Sequence, residues 1–178
     1  MAAGTDSSFL NSPYFFAIST ATPRAISIIS WKESCRSWAE RDSPVKMWSE
    51  MVSRDSCLYR AHPDWMLGST DRPVCTGRHQ YVLDFSRKEV VDRIYEMMDK
   101  ILSEAKVSYI KWDMNRYLSE AGSPTREPRQ WKELHFRSTE GVYRLAEELK
   151  KRHPKVELEA CASGGGRVDY GALERFDE

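Results

Sequence analysis

VSYIKWDMNRYL, running from Val107 to Leu118, is the stretch on which the reading of this chain turns. It opens with a short apolar, β-branched run (Val107, Tyr109, Ile110) and then breaks abruptly into Lys111, Trp112, Asp113, Met114, Asn115 and Arg116. An apolar run of that length reads as a strand. Strand side chains alternate at period two, so Lys111, Asp113 and Asn115 are expected on one face. An ammonium, a carboxylate and an amide then point into one small volume. A carboxylate placed there can cap the following turn, pair with Lys111 or Arg116, or attack an acetal carbon as an ionised nucleophile. Adjacent Lys111 favours its ionised form at neutral pH.

Working outward, strands and helices alternate. Gln80–Phe85 (QYVLDF) reads as a strand, and Ser86 with Glu89 three residues later reads as a capping box opening a helix. In that helix Val90, Ile94, Met97, Met98, Ile101 and Leu102 recur at helical spacing. The strand Val107–Trp112 follows, then a polar loop over 120–129 with Gly122, Pro124 and Pro128. A second helix is expected from about Phe136 to Arg152, with Val142, Leu145, Ala146 and Leu149 on one face and Pro154 as its stop. Val156–Ala160 is a third strand, entering Cys161-Ala-Ser-Gly-Gly-Gly-Arg167. Strands alternating with amphipathic helices predict an α/β fold with a parallel sheet. Chemistry in such folds sits at the C-terminal strand ends, where both KWDMN and CASGGGR fall.

The other candidates read two ways. Gly164, Gly165 and Gly166 either form a tight strand-to-helix turn or let backbone approach a ligand closely; no GxxxxGK[ST] or GxGxxG pattern supports a phosphate loop. Cys161 reads as a buried small side chain before it reads as a reactive thiol. Arg78, in GRHQ, is a solvated loop arginine or a pocket residue. The aromatic loop Tyr59–Trp65 packs over the core or walls a pocket.

Composition narrows the classes. A chain of 178 residues is long enough for one domain with a real core. Lys+Arg and Asp+Glu are 27 each, so nothing suggests a nucleic-acid or anionic-membrane partner. No apolar run reaches the length of a bilayer span, and the N-terminus lacks a signal-peptide pattern. The four cysteines show no CxxC pairing and no histidine at ligand spacing. They read as cytosolic thiols, not as a disulfide or zinc framework, so a cytoplasmic protein is expected. Six Trp and eight Tyr suit a carbohydrate site and an ordinary core equally well.

Five segments together resemble the bacterial α-galactosidases of glycoside hydrolase family 36, the melibiases. They are Glu50-Met-Val-Ser-Arg-Asp-Ser56, Leu58-Tyr-Arg-Ala-His-Pro-Asp-Trp65, Gln80-Tyr-Val-Leu-Asp-Phe-Ser-Arg87, Tyr109-Ile-Lys-Trp-Asp-Met-Asn-Arg116, and Glu159-Ala-Cys-Ala-Ser-Gly-Gly-Gly-Arg167 with Asp169. The resemblance implies a (β/α)8 TIM barrel and retaining hydrolysis of terminal α-galactosides such as melibiose and raffinose, with no metal or organic cofactor. It puts Asp113 on the nucleophile, at the end of the fourth barrel strand. Lys111 and Asn115 fall on sugar-hydroxyl contacts, with Trp112 between them. Arg78 and Cys161 fall on further positions of the galactose pocket, Gly164 on the turn where backbone meets the sugar, and Trp48 on a sugar-stacking position. The implied partner is a small-molecule galactoside, with homo-oligomerisation of a full-length enzyme left open.

The departures are as informative. The family's acid/base Asp belongs to a Trp-x-Ser-Asp segment on the next strand, which is not found here. Its Asp-Asp-Gly-Trp-like motif has no counterpart in residues 1–45, and its Trp-Phe-Glu-Pro-Glu strand appears only as Trp48-Ser-Glu50, two residues short. Residues 1–47 are therefore expected to be an atypical segment, out of frame or disordered. Residues 48–178 are expected to be a partial barrel through its fifth strand and glycine-rich loop, part of a larger multidomain enzyme. An inactive galactoside-binding fragment and a galactosyl transferase of the raffinose-synthase type stay open as alternatives. If the change of character near residue 48 marks an upstream frameshift or a gene fragment, another reading frame of the coding DNA should carry family-like sequence; its absence from every frame counts against that account.

Overall fold

The computed structural model describes residues 18–20, 44–47, 49–69, 71–77, 79–114, 116, 118–119, 122–162 and 166–178, with 18–20 and 44–46 described by their backbone. The chain is α/β. Strands β1 (Ile18–Thr20), β2 (Pro44–Met47), β5 (Tyr109–Asp113) and β6 (Glu157–Cys161) form one sheet in the order β1-β2-β5-β6. Within it β2, β5 and β6 run parallel, while β1 pairs antiparallel with β2. Strands β3 (Met51–Ser53) and β4 (Gln80–Val82) form a separate antiparallel ribbon.

This corrects the expectation of parallel strands throughout. Gln80–Phe85 does not enter the parallel sheet, and the parallel neighbour of β5 on that side is β2, beginning at Pro44. The apolar pattern of QYVLDF is real, but both faces of the ribbon are buried: Val52 and Tyr81 in the main core, Met51 and Val82 in a smaller one. A doubly buried antiparallel strand has no alternation to separate it from a parallel one. The ladder runs one rung past Val82, Leu83 N donating to Glu50 O at 2.9 Å in the same register, and ends where Asp84 N turns to Trp65 O at 2.7 Å.

The capping expectation at Ser86 is also corrected. Its hydroxyl donates to Asp84 Oδ1 at 2.5 Å, and its amide to the same oxygen at 3.1 Å. Helix α2 therefore starts at Lys88, with Arg87 at the N-cap and no side-chain cap bond. A short helix α1 (Cys57–Ala61) precedes it, capped by the Ser56 hydroxyl accepting from Tyr59 N at 3.0 Å. The HPDW segment forms a 3-10 turn that buries Trp65, with His62 stacked on its ring at 3.9 Å, so this loop packs over the core.

The long helices α2 (Lys88–Glu104) and α3 (Leu134–Arg152) lie against one face of the parallel sheet; a short helix, α4 (Tyr170–Leu173), follows β6. Val90, Ile94 and Met98 from α2, and Val142, Leu145 and Leu149 from α3, pack with Met47, Ile110, Trp112 and Leu158. The opposite sheet face carries the polar residues. Helix α3 approaches the turn after β4 so closely that a Cβ on Gly141 would lie 2.1 Å from Phe85 O. Gly141→Ala should therefore destabilise the fold by about 1–3 kcal/mol through overpacking, although alanine is favoured over glycine by about 1 kcal/mol in a helix interior. Urea unfolding measures the sign, and a stabilised variant would show that α3 stands further off.

Candidate active site

Period two sorts β5 into two rows. Ile110 and Trp112 turn to the helices and are wholly buried; Tyr109, Lys111 and Asp113 occupy the other face. In β6, Leu158 and Ala160 join the core while Glu159 and Cys161 share the face of Lys111 and Asp113. The register makes Lys111 the cross-strand partner of Glu159, and Asp113 that of Cys161. Paired residues on neighbouring strands are about 5 Å apart, so Asp113 and Cys161 meet at one rim. The ladder continues one step beyond them, Met114 N donating to Cys161 O at 2.8 Å. Asp113 is only 2% exposed, unusual for a carboxylate and typical of a functional position when a strand end delivers it.

A second polar layer lies one same-face pair nearer the strand starts. Lys111 Nζ donates to Glu159 Oε1, and Tyr109 OH donates to Glu159 Oε2 at 2.6 Å. Tyr109 OH also lies 3.1 Å from Glu178 Oε2. The hydrogen bond to Glu159 raises the Lys111 pKa above its ordinary range; burial works against this, and the charges of Cys161, Glu159 and Asp113 assist it. Burial pushes the Glu159 pKa up, but the hydrogen bonds from Lys111 and Tyr109 outweigh it and leave the carboxyl below its ordinary range. Glu159's contribution to stability is therefore complete above the carboxyl's unfolded range and is lost as pH falls through its folded value. That of Lys111 is complete below the ammonium's unfolded range and is lost as pH rises through its folded value. Both groups are charged across the neutral window between.

A buried ionic knot ties the loops to this layer. The Glu50 carboxylate accepts from Trp112 Nε1 at 2.8 Å and from Arg167 Nη2 at 2.5 Å. Trp112 is thus a core residue, fully buried and edge-on to Phe176, with its indole N–H fastening Glu50. Arg167, just past the glycine run, is held to the start of the ribbon. Arg116 Nη1 donates to Cys75 O at 3.0 Å and to Gln80 O at 2.9 Å, anchoring the β5 exit to the turn that precedes β4. In that turn, Gly77 and Gln80 exchange backbone bonds and His79 takes a φ of 60°. Asp84, wholly buried, accepts from the Ser123 hydroxyl at 2.6 Å and pins the loop after β5.

Of the expected site residues, the structure brings Asp113, Lys111 and Cys161 onto one face and puts Trp112 on the other. Arg78, Asn115, Gly164 and Trp48 lie outside the described residues. Glu50, Glu159 and Asp84 carry the supporting bonds but drew no attention in the sequence as site residues. For Glu159 a signal existed: it stands two residues before Cys161, hence on the same strand face. Among the described residues, no group of three His, Cys, Asp or Glu is placed to hold a metal ion, and no helix is long and apolar enough to cross a membrane.

Comparison with known proteins matches residues 40–178 to the Melibiase family model. The α-galactosidase AgaA of Geobacillus stearothermophilus is 46% identical over 124 residues, which is 70% of this chain and 17% of that protein. The α-galactosidase Mel36A of Lactobacillus acidophilus is 45% identical over 68% of this chain and 17% of its own length. The chain thus spans about 17% of the length of these curated relatives. The crystal structure of AgaA, a GH36 α-galactosidase, superposes with a TM-score of 0.71 at 43% identity, covering 75% of this chain and 18% of that one. Variants of that enzyme have been solved in complex with raffinose and with stachyose.

The knot at Glu50 gives a direct prediction. Among the described residues, Arg167→Ala leaves the buried Glu50 carboxylate with the Trp112 indole N–H as its side-chain donor, and breaking a buried pair in this way costs about 3–5 kcal/mol. Replacing both partners, as in the double variant E50Q/R167M, should cost less than R167A alone. Denaturant titration of the three proteins checks the order, and a double variant worse than R167A would refute the account.

Proposed function

The chain belongs to the Melibiase family, and from that premise we propose that it carries the nucleophile half of a retaining α-galactosidase site. The observation that carries this reading is the register pair Asp113–Cys161 at the C-terminal ends of two parallel strands, with the Lys111 ammonium one same-face pair below. Residues 48–178 are then part of a (β/α)8 catalytic barrel. Parallel strands with both long helices on one face and a polar row on the other support this, because a closed barrel turns one sheet face into a lined interior.

The substrates are terminal α-galactosides of the melibiose and raffinose kind. Asp113 attacks the anomeric carbon. The bond from that carbon to the glycosidic oxygen breaks, a glycosyl ester forms on the carboxylate, and water later hydrolyses it. Lys111 and Asn115 bind ring hydroxyls, while Arg78, Cys161, Gly164 and Trp48 line the galactose pocket; Trp112 acts from behind, through Glu50. Retention requires a second carboxyl about 5 Å from the first, to protonate the leaving oxygen and then activate water. The same-face carboxylate nearest in register, Glu159, is committed to Lys111 and Tyr109. The acid/base role therefore goes to the Asp of the family's Trp-x-Ser-Asp segment, which this chain does not contain.

General-acid assistance contributes about 10²- to 10⁴-fold, so the 178-residue chain should cleave raffinose and melibiose poorly. Residual turnover, where present, should favour aryl galactosides with good leaving groups. A 2-fluoro galactosyl fluoride, which needs no acid to depart, should label the peptide containing Asp113. Label on Asp84 or Asp169 would overturn the assignment. Galactose binding without any labelling would favour a non-catalytic binding role.

A further inference from the structure

The nucleophile layer sits directly above a layer that owns its own charges. Lys111 and Asp113 lie on one strand, two residues and about 6.6 Å apart along the face. A lysine stem spans that distance easily. Yet the ammonium is turned sideways onto Glu159, its cross-strand partner, in a hydrogen-bonded ion pair. Glu159 is itself held from the far side by Tyr109 OH at 2.6 Å, so its carboxylate has one oxygen for the phenol and one for the ammonium. Lys111 is about a third exposed and Glu159 about a fifth, so each has room to move if the other is removed. Asp113 acts on Lys111 through space as well.

We propose that Glu159 is a positioning residue for the nucleophile: by holding the Lys111 ammonium beside β6, it keeps that ammonium from closing onto the Asp113 carboxylate. This rests on the reading of Asp113 as nucleophile. A direct ion pair would satisfy the attacking oxygen with a proton donor and lower its reactivity. An ammonium held one layer down still stabilises the ionised carboxylate without occupying it. It also keeps its other N–H groups for a ligand. Tyr109 completes the device by fixing the Glu159 carboxylate plane.

Glu159→Gln is the informative change, because it keeps the shape and the Tyr109 contact while releasing Lys111. With Lys111 turned onto Asp113, labelling by 2-fluoro galactosyl fluoride should slow by about tenfold or more, at the same peptide, as expected when a charge pair closes in a poorly solvated site. Equal labelling rates in the two proteins overturn the proposal and leave the nucleophile assignment standing. A second readout needs no galactoside chemistry: the acylation rate of Lys111 by acetic anhydride, followed by peptide mass spectrometry. Adding Asp113→Asn should accelerate acylation several-fold in the E159Q background and leave it nearly unchanged when Glu159 is present. Lys111 acylation indifferent to D113N in the E159Q protein overturns the proposal whatever the labelling shows. A wild-type chain that refuses the fluorosugar while passing the acylation cycle removes the nucleophile reading and retains the charge device.

Discussion

The parallel pairing of β5 with β6 is the constraint on which the rest of this structure depends. Once Asp113 stands opposite Cys161, period two decides everything else along both strands. Lys111 must face Glu159, and Ile110 and Trp112 must face the helices, where they are wholly buried. A slip of one residue would send Lys111 and Asp113 into the apolar layer of α2 and α3 and expose Trp112. The cost of burying two unmatched charges fixes the register more firmly than the backbone bonds alone could. The same alternation that builds the core therefore also builds the polar row.

The loops at the strand ends are fastened by ions and amides buried behind them. Glu50 bonds the indole of Trp112 and the guanidinium of Arg167, so one carboxylate joins the start of the ribbon, the back of β5 and the exit of the glycine run. Arg116 and Asp84 do similar work for the turn before β4 and the loop after β5. Each anchor is a hydrogen bond to a charged group, worth about 1.5–3 kcal/mol. Rigid support of this kind holds a reacting group in place where a free loop would not.

How much of this could be read from the residues follows from the range of each signal. The helices α2 and α3 show in the spacing of Val90, Ile94 and Met98, and of Val142, Leu145 and Leu149, because helical burial is periodic within the segment. The strand character of Tyr109–Asp113 and the shared face of Lys111 and Asp113 show for the same reason. The pairing of β2 with β5 does not show: Pro44–Met47 is four residues long and begins with a proline, and which strand it joins is decided by contacts more than sixty residues away. The placement of QYVLDF failed on the same ground, since burial on both faces erases the pattern that separates ribbon from parallel sheet. Ser86 misled because a serine three residues before a glutamate fits a cap, while in the fold Asp84 claims its hydroxyl.

Glu50 and Glu159 show the limit most clearly. In a sequence both read as surface charges, the ordinary fate of glutamate. What makes them structural is a partner from another strand or loop: Arg167 lies 117 positions from Glu50, and Lys111 lies 48 from Glu159. Cross-strand charge partners become legible only when the register is known, and the register follows only from the strand order. Once β5 and β6 are aligned, Glu159 falls beside Lys111 without further assumption. Asp113, by contrast, is legible early because its neighbours in sequence are also its neighbours in space. A strand that ends in alternating polar residues carries its own site on one face, while the residues that hold such a site rigid come from the rest of the fold.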